Sequence, residues 1–363
     1  MTTPLGHIVA RLVAAEGPLT LDRYMALCLG HPEHGYYTTR DPLGVAGDFI
    51  TAPEVTQIFG ELVGIWCAGV HEAMGTPATF NLVELGPGRG TLMADLLRAA
   101  RVAPGFLDAA HVHLVETSPV LRRAQEKNLA GVAPRIDWLE RLDDVPDAPF
   151  ILVANEFFDA LPVRQFERAG RGWSERVVGL DGDALTLGLV PFAADLPNWT
   201  AAAAPGDVAE ISTASQAVAA TIGERLASRP GAALVIDYGH GRASLGDTLQ
   251  AVRAHRPVSI LEAPGECDLT AHVDFETLGR VMARAGATVL SPLTQREFLL
   301  RMGLEARLRI LSAAADAEGR RDLELAAERV AGPAQMGHLF KVLAATSAGL
   351  PVPYPFEGRF AHD

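Results

Sequence analysis

The spacing of apolar positions changes near residue 79, and that change organises the chain. Before it, apolar residues recur at helical intervals. Leu21 to Leu29 predicts a helix with Thr20 as its N-cap. Glu54 to Ala73 predicts another, carrying Val55, Ile58, Phe59, Leu62, Ile65 and Trp66 on one face. After residue 79, short apolar runs alternate with helical stretches. Strands are expected at 80–85, 111–116, 135–139 and 150–154, with a helix over Thr91–Ala100. The alternation resumes with helix 213–227 and strand 232–237. It closes with a helical block at about 295–330 and a strand near His338–Ala344. Strand–helix alternation implies an α/β fold around a parallel sheet. Residues 163–191 differ: they alternate with period two and are broken by turns at Ala169–Gly172 and Asp181–Asp183, which predicts an antiparallel β insertion. The expected organisation is a helical N-terminal lid segment over 1–78 and a core over 79–363, with 163–210 inserted as a β/helical subdomain.

Composition narrows the class. The chain has 363 residues, 48% of them hydrophobic, enough for a large core. Its formal net charge of -13 argues against a nucleic-acid binder, which would carry a basic footprint, and leaves room for a basic protein substrate. Cys28, Cys67 and Cys267 form no C-x-x-C pair, so neither a disulfide framework nor a cysteine zinc site is expected, and no metal is assigned. No apolar run approaches a membrane span, and Met1–Ala14 lacks the marks of a secretory or transit peptide. Cytoplasmic residence is the expectation.

The chemistry is concentrated at predicted strand ends. Glu84-Leu85-Gly86-Pro87-Gly88-Arg89-Gly90 joins the first strand to its helix. Glycines there admit positive φ and let a ligand reach the main chain without meeting a Cβ. A dinucleotide fingerprint, G-x-G-x-x-G, would need a third glycine where Thr91 stands. The second strand ends in Glu116, followed by Thr117-Ser118-Pro119 at a helix start; an acid there suits ribose hydroxyls. Two strand-end acids around a glycine turn favour a nucleotide-like ligand with a cationic end, S-adenosylmethionine, over a dinucleotide. The cofactor-binding candidates are Glu84, Gly86, Pro87, Gly88, Gly90, Glu116, Thr117, Trp138 in the third strand, and Asn155.

The fourth strand is wholly apolar until Asn155-Glu156, with Asp159 close behind. Asn155, Glu156 and Asp159 are the catalytic candidates, with Glu156 orienting the acceptor. The alternative is that Asn155 caps a following helix and Glu156 is solvated in its first turn. Tyr36, Tyr37 and Asp48 are candidates for a lid, and Asp237 and His272 for the substrate side. His240 has the right chemistry for a general base but is a lone loop histidine.

Taken together these strings resemble the MidA family of class I methyltransferases. The resemblance runs through Gly35-Tyr36-Tyr37, Gly47 to Glu54, Glu84 to Gly90, Asn155 to Pro162, Asp237-Tyr238-Gly239 and Asp268 to Phe275. It implies a Rossmann-like, seven-stranded core with a helical lid and an insertion after the fourth strand. It also implies protein arginine methylation, since the family's mitochondrial member dimethylates an arginine of a respiratory complex I subunit. The expectation is therefore a protein arginine N-methyltransferase using S-adenosyl-L-methionine on a protein substrate, with homodimerisation left open. The alternatives are a small-molecule amine methyltransferase and a non-catalytic assembly factor that binds the cofactor.

Overall fold

The run Phe80–Leu85 is buried at every position, as a strand covered on both faces requires. In a computed structural model of the chain, which describes residues 3–40, 51–132, 135–170, 172–358 and 360, this run is an interior strand of a large sheet. We label its strands β1 (Phe80–Leu85), β2 (Ala110–Val115), β3 (Ile136–Leu139), β4 (Phe150–Asn155), β5 (Gly231–His240), β6 (Thr288–Val289) and β7 (Phe340–Thr346). They lie in the order β3-β2-β1-β4-β5-β7-β6. Neighbours from β3 to β5 are parallel, whereas β7 runs antiparallel to both β5 and β6. The chain moves outward from β1 to β3 and then returns to β4 on the other side of β1. That reversal is the topological switch point, beside which doubly wound sheets bind their ligands at the strands' carboxyl ends.

This sheet belongs to a unit made of Ile50–Phe158, Val218–Gly241 and Phe275–Asp363. Its core joins Phe59, Trp66, Leu82, Leu96, Val112, Ile151, Leu234, Phe298 and Val342. Helices Gln57–Ala73 and Thr91–Ala100 approach closely because Gly60 and Gly64 face the second helix; a Cβ on Gly64 would lie 2.5 Å from the Leu96 carbonyl oxygen. Buried Glu61 closes the outer edge of this packing with a paired contact to Arg307 (2.7 and 2.9 Å) and a third to Arg98 (3.2 Å).

The second unit comprises Met1–Phe49, Asp159–Ala217 and Arg242–Asp274. The inserted strands Arg164–Ala169, Gly172–Asp181 and Ala184–Phe192 are antiparallel neighbours, as the period-two pattern predicts, and Val208–Ile211 extends the sheet. The short strand Leu19–Thr20 joins the same sheet by pairing with Val177 and Val178. Helices Pro4–Glu16 and Leu21–Gly30 share a core with it through Leu5, Val9, Tyr24, Met25 and Val178. The N-terminal helices therefore group with the insertion, and helix Gln57–Ala73 groups with the large sheet.

Three local expectations change. The 54–73 periodicity is two helices, Ala52–Val55 and Gln57–Ala73, because extended Thr56 interrupts them and caps the second with its hydroxyl on Ile58 N–H (3.3 Å). Thr20 holds the N-cap position of Leu21–Gly30 without a side-chain cap bond. The last strand starts at Phe340, after a short helix Met336–Leu339. Among the described residues no helix is long and apolar enough to cross a membrane.

Candidate functional site

The turn after β1 is a glycine structure in its backbone angles. Gly86 has φ +62°, and a Cβ there would sit 3.0 Å from the Phe157 ring. Gly90, at φ +80°, is the N-cap of Thr91–Ala100, and its N–H donates to the carbonyl of buried Pro87 at 2.7 Å. Gly88 is also left-handed, at φ +54°. Before the turn, Glu84 is almost fully buried, and its Oε2 has no hydrogen-bond partner among the described residues. Burial, and secondarily the Glu116 charge, push the Glu84 carboxyl up to about 8. A buried acid with an unmet oxygen is a costly arrangement unless a cationic or donor group comes to it.

Glu116 follows β2 and is also buried. Its Oε1 accepts the Ser118 N–H at 2.7 Å and its Oε2 accepts the Gln125 side-chain amide at 3.2 Å. Burial raises this carboxyl, partly opposed by those same donors. A carboxylate has about four lone-pair sites, so acceptor capacity is left over for hydroxyls. Thr117 is exposed. Gln125, fully buried in helix Pro119–Asn128, is the hub that the sequence reading missed. Its Nε2 also donates to the Gly88 carbonyl at 2.7 Å, and its Oε1 accepts the Trp138 indole N–H at 2.9 Å. One side chain thus ties together the glycine turn, the second strand-end acid and the third strand's tryptophan.

At the end of β4, Asn155 is buried, with its Oδ1 unmet among the described residues and its Nδ2 donating to Glu156 Oε1 at 3.3 Å. Glu156 has φ +49°, unusual for a residue with a Cβ, and its Oε1 also accepts the Ala52 N–H at 3.0 Å. No helix follows, so the capping alternative for Asn155 has nothing to cap. Instead Asp237, fully buried at the end region of β5, organises the turn. Its Oδ2 accepts the N–H groups of Phe157 and Phe158 at 3.2 and 3.0 Å, and its Oδ1 accepts that of Tyr238 at 2.9 Å. The sequence places Asp237 on the substrate side; in the structure it braces the backbone that follows Asn155-Glu156.

His240 ends β5 in the large-sheet unit, and Tyr37, Asp159 and His272 lie in the other unit. The Tyr37 hydroxyl donates to Asp268 Oδ1 at 2.8 Å, and burial followed by the Asp268 and Asp159 charges pushes it well above the usual phenol range. Asp159 is buried and its carbonyl accepts the Ala271 N–H at 3.0 Å. His272 donates its N–H to the Thr248 hydroxyl at 2.9 Å. Asp48 lies outside the described residues. The large-sheet unit therefore contains Glu84, Gly86, Pro87, Gly88, Gly90, Glu116, Trp138, Asn155, Glu156 and Asp237, and the other unit contains Tyr37, Asp159 and His272.

The donor set at the switch point fits an S-adenosyl ligand. The glycine turn offers main chain without side chains. Glu84 offers an unmet carboxylate oxygen for an ammonium or N–H group. Glu116 offers acceptors for hydroxyls, and Asn155 an unmet amide oxygen.

Comparison with known proteins points the same way. The model of a family described as "Putative S-adenosyl-L-methionine-dependent methyltransferase" matches residues 62–293. The protein arginine methyltransferase NDUFAF7 of Homo sapiens mitochondria is 37% identical over 370 residues, covering 95% of this chain and 83% of the relative. The homologue from Drosophila melanogaster is 36% identical over 368 residues, covering 92% and 82%. A solved Burkholderia thailandensis structure with S-adenosyl-homocysteine bound superposes with a TM-score of 0.85 at 31% identity, over 99% of this chain and 96% of that one. With the sheet order, the strand-end acids and this span of similarity in agreement, the chain belongs to that S-adenosylmethionine-dependent methyltransferase family, the MidA family of class I enzymes.

Proposed function

We propose that this methyltransferase acts on arginine side chains of a protein substrate. The observation that carries the reading is the Asn155-Glu156 turn: an acid held at the carboxyl end of β4, directly beside the glycine turn of β1 in the sheet, in a chain of net charge -13. The relatives named as protein arginine methyltransferases, aligned along more than nine-tenths of this chain, support it.

Bound S-adenosylmethionine supplies a methyl group already activated by its sulfonium. The protein's part is to bind, orient and neutralise. Glu84 and Glu116 would hold the polar groups of the cofactor, and the glycine turn would leave its main chain open to it. Glu156 keeps one oxygen on the Ala52 N–H, which fixes its direction. Its charge orients a guanidinium, whose planar fork of donors matches a carboxylate. Drawing positive charge toward the carboxylate leaves the far nitrogen better disposed to attack a carbon. The acceptor suggested by the family resemblance is an arginine of a respiratory complex I subunit.

The test is transfer of an isotope-labelled methyl group from the donor to proteins of a cell lysate, followed by mass spectrometry of the labelled band. Methylarginine in a discrete protein supports the reading. Label appearing in small molecules alone, or in lysine, would overturn the arginine assignment while leaving the methyltransferase intact.

A further inference from the structure

Strand β2 carries His111 and His113, and alternation along a strand puts both on one face. The parallel register sets Asp137 of β3 opposite His113. Asp137 Oδ2 lies 2.8 Å from His111 Nε2 and 4.0 Å from His113 Nδ1, and one ligand atom from each of the three residues falls within 4.8 Å of the others. The two imidazole rings are 4.3 Å apart. We propose that His111, His113 and Asp137 form a binding site for one divalent transition-metal ion of the zinc class.

The decisive group is His113, which is fully buried. Its Nε2 is 3.1 Å from the Asn81 side-chain oxygen, and the Asn81 amide is oriented by donating its own N–H to the Pro146 carbonyl at 2.6 Å. An oxygen opposite Nε2 requires the hydrogen to be on Nε2, so Nδ1 carries a lone pair. That Nδ1 has no hydrogen-bond partner among the described residues, and it faces a carboxylate oxygen. Two acceptors pointed at each other are repulsive unless a cation sits between them. A hydrogen-bond partner on the far ring nitrogen that fixes the tautomer of a metal-binding histidine, as Asn81 does here, is the usual arrangement in metal sites.

Two imidazole nitrogens and a carboxylate oxygen suit zinc, cobalt or nickel better than calcium or magnesium, which prefer all-oxygen sets. Bond lengths of about 2.0–2.2 Å to each ligand need the three atoms somewhat more evenly spaced than they are. His111 is partly exposed and Asp137 is exposed at the sheet's border, so both have room to adjust. Three protein ligands leave a position for water. The cluster begins at the amino ends of β2 and β3, whereas the glycine turn and Glu116 lie past the carboxyl ends. The ion would therefore clip the edge strand β3 to β2, and it takes no part in methyl transfer.

The test uses the full chain after chelator treatment and dialysis, titrated with Zn²⁺ in a calorimeter and with Co²⁺ in a visible spectrometer. A saturable one-to-one isotherm is expected, with Co²⁺ d–d bands and a rise in melting temperature on adding Zn²⁺. His111→Gln and Asp137→Asn alter partly exposed side chains and should leave the metal-free melting temperature within a few degrees. Each should weaken Zn²⁺ binding about tenfold or more and abolish the thermal shift. No saturable binding by the wild-type chain would overturn the site, as would binding left intact by both substitutions. Loss of the His111–Asp137 ion pair without any metal-dependent difference would identify the cluster as an ordinary ion pair.

Discussion

Glu156 accepts the backbone N–H of Ala52 at 3.0 Å, across 104 positions of sequence. One oxygen of the proposed acceptor-orienting acid is thus held by main chain, and the carboxylate direction is set before any substrate arrives. Glu156→Gln retains an oxygen for Ala52 and the same shape but removes the charge. Turnover should fall about 100-fold or more, with melting temperature nearly unchanged and cofactor affinity within a few-fold. Labelled-methyl assays with calorimetry on the same samples check this; unchanged turnover removes Glu156 from its role.

Glu84 makes the cofactor-free protein sensitive to pH. Its carboxyl rises from 4.5 to about 8 on folding. Between those values the folded chain keeps a proton that the unfolded chain has released. Stability therefore falls as pH rises through this window and levels off above it. The contribution is on the order of 3–5 kcal/mol. Glu84→Gln should lack this decline and be more stable than wild type at pH 8.5, while binding the methyl donor more weakly. Denaturant titrations at pH 5 and pH 8.5 give the comparison. Equal pH slopes in the two proteins would contradict the assignment.

Gln125 is expected to matter to the cofactor without needing to touch it. Gln125→Leu leaves the Gly88 carbonyl and the Trp138 N–H without this partner and takes a donor from Glu116. The expected loss is about 2–4 kcal/mol of stability, together with weaker cofactor binding. Gln125→Glu should be worse at neutral pH, because a carboxylate cannot donate to Gly88 and repels Glu116. The reverse ranking, measured by calorimetry and thermal melts, is the outcome that contradicts the hub.

Asp237 offers both oxygens to main-chain donors, so an amide is a poor substitute. In Asp237→Asn one of the two positions becomes an N–H facing an N–H. We expect a stability loss of about 1–3 kcal/mol and a fall in kcat exceeding any change in cofactor affinity, because the turn carrying Asn155 and Glu156 loses its brace. A variant as stable and active as wild type would show that other contacts suffice.

Phe150–Ala154 could be read from sequence because a strand buried on both faces appears as an unbroken apolar run, and Phe80–Leu85 because only Asn81 and Glu84 interrupt such a run. The glycine turn could be read because its backbone angles exclude most side chains. The break at Thr56 could not, since apolar spacing continues across it. Gln125 gave no local signal: its helix, Pro119–Asn128, is mostly polar, and its burial depends on how that helix returns to the sheet. The His111–His113–Asp137 cluster was hidden for a similar reason. The two histidines are visible in sequence, but Asp137 joins them only through the β2–β3 register. The union of the first helices with the inserted strands likewise rests on pairings such as Leu19 with Val178, far apart along the chain.

The antiparallel β7, seated between β5 and β6, has a consequence for how the molecule is made. While the ribosome is still translating, β5 has its parallel partner β4 but not the strand that covers its opposite side, and that strand emerges roughly 100 residues later. At ordinary translation speeds the nascent chain then carries an open hydrogen-bonding border for about 5 to 20 s. A β4–β5 pair formed before that strand is made would present an unpaired edge, the kind of border to which strands of other chains can add.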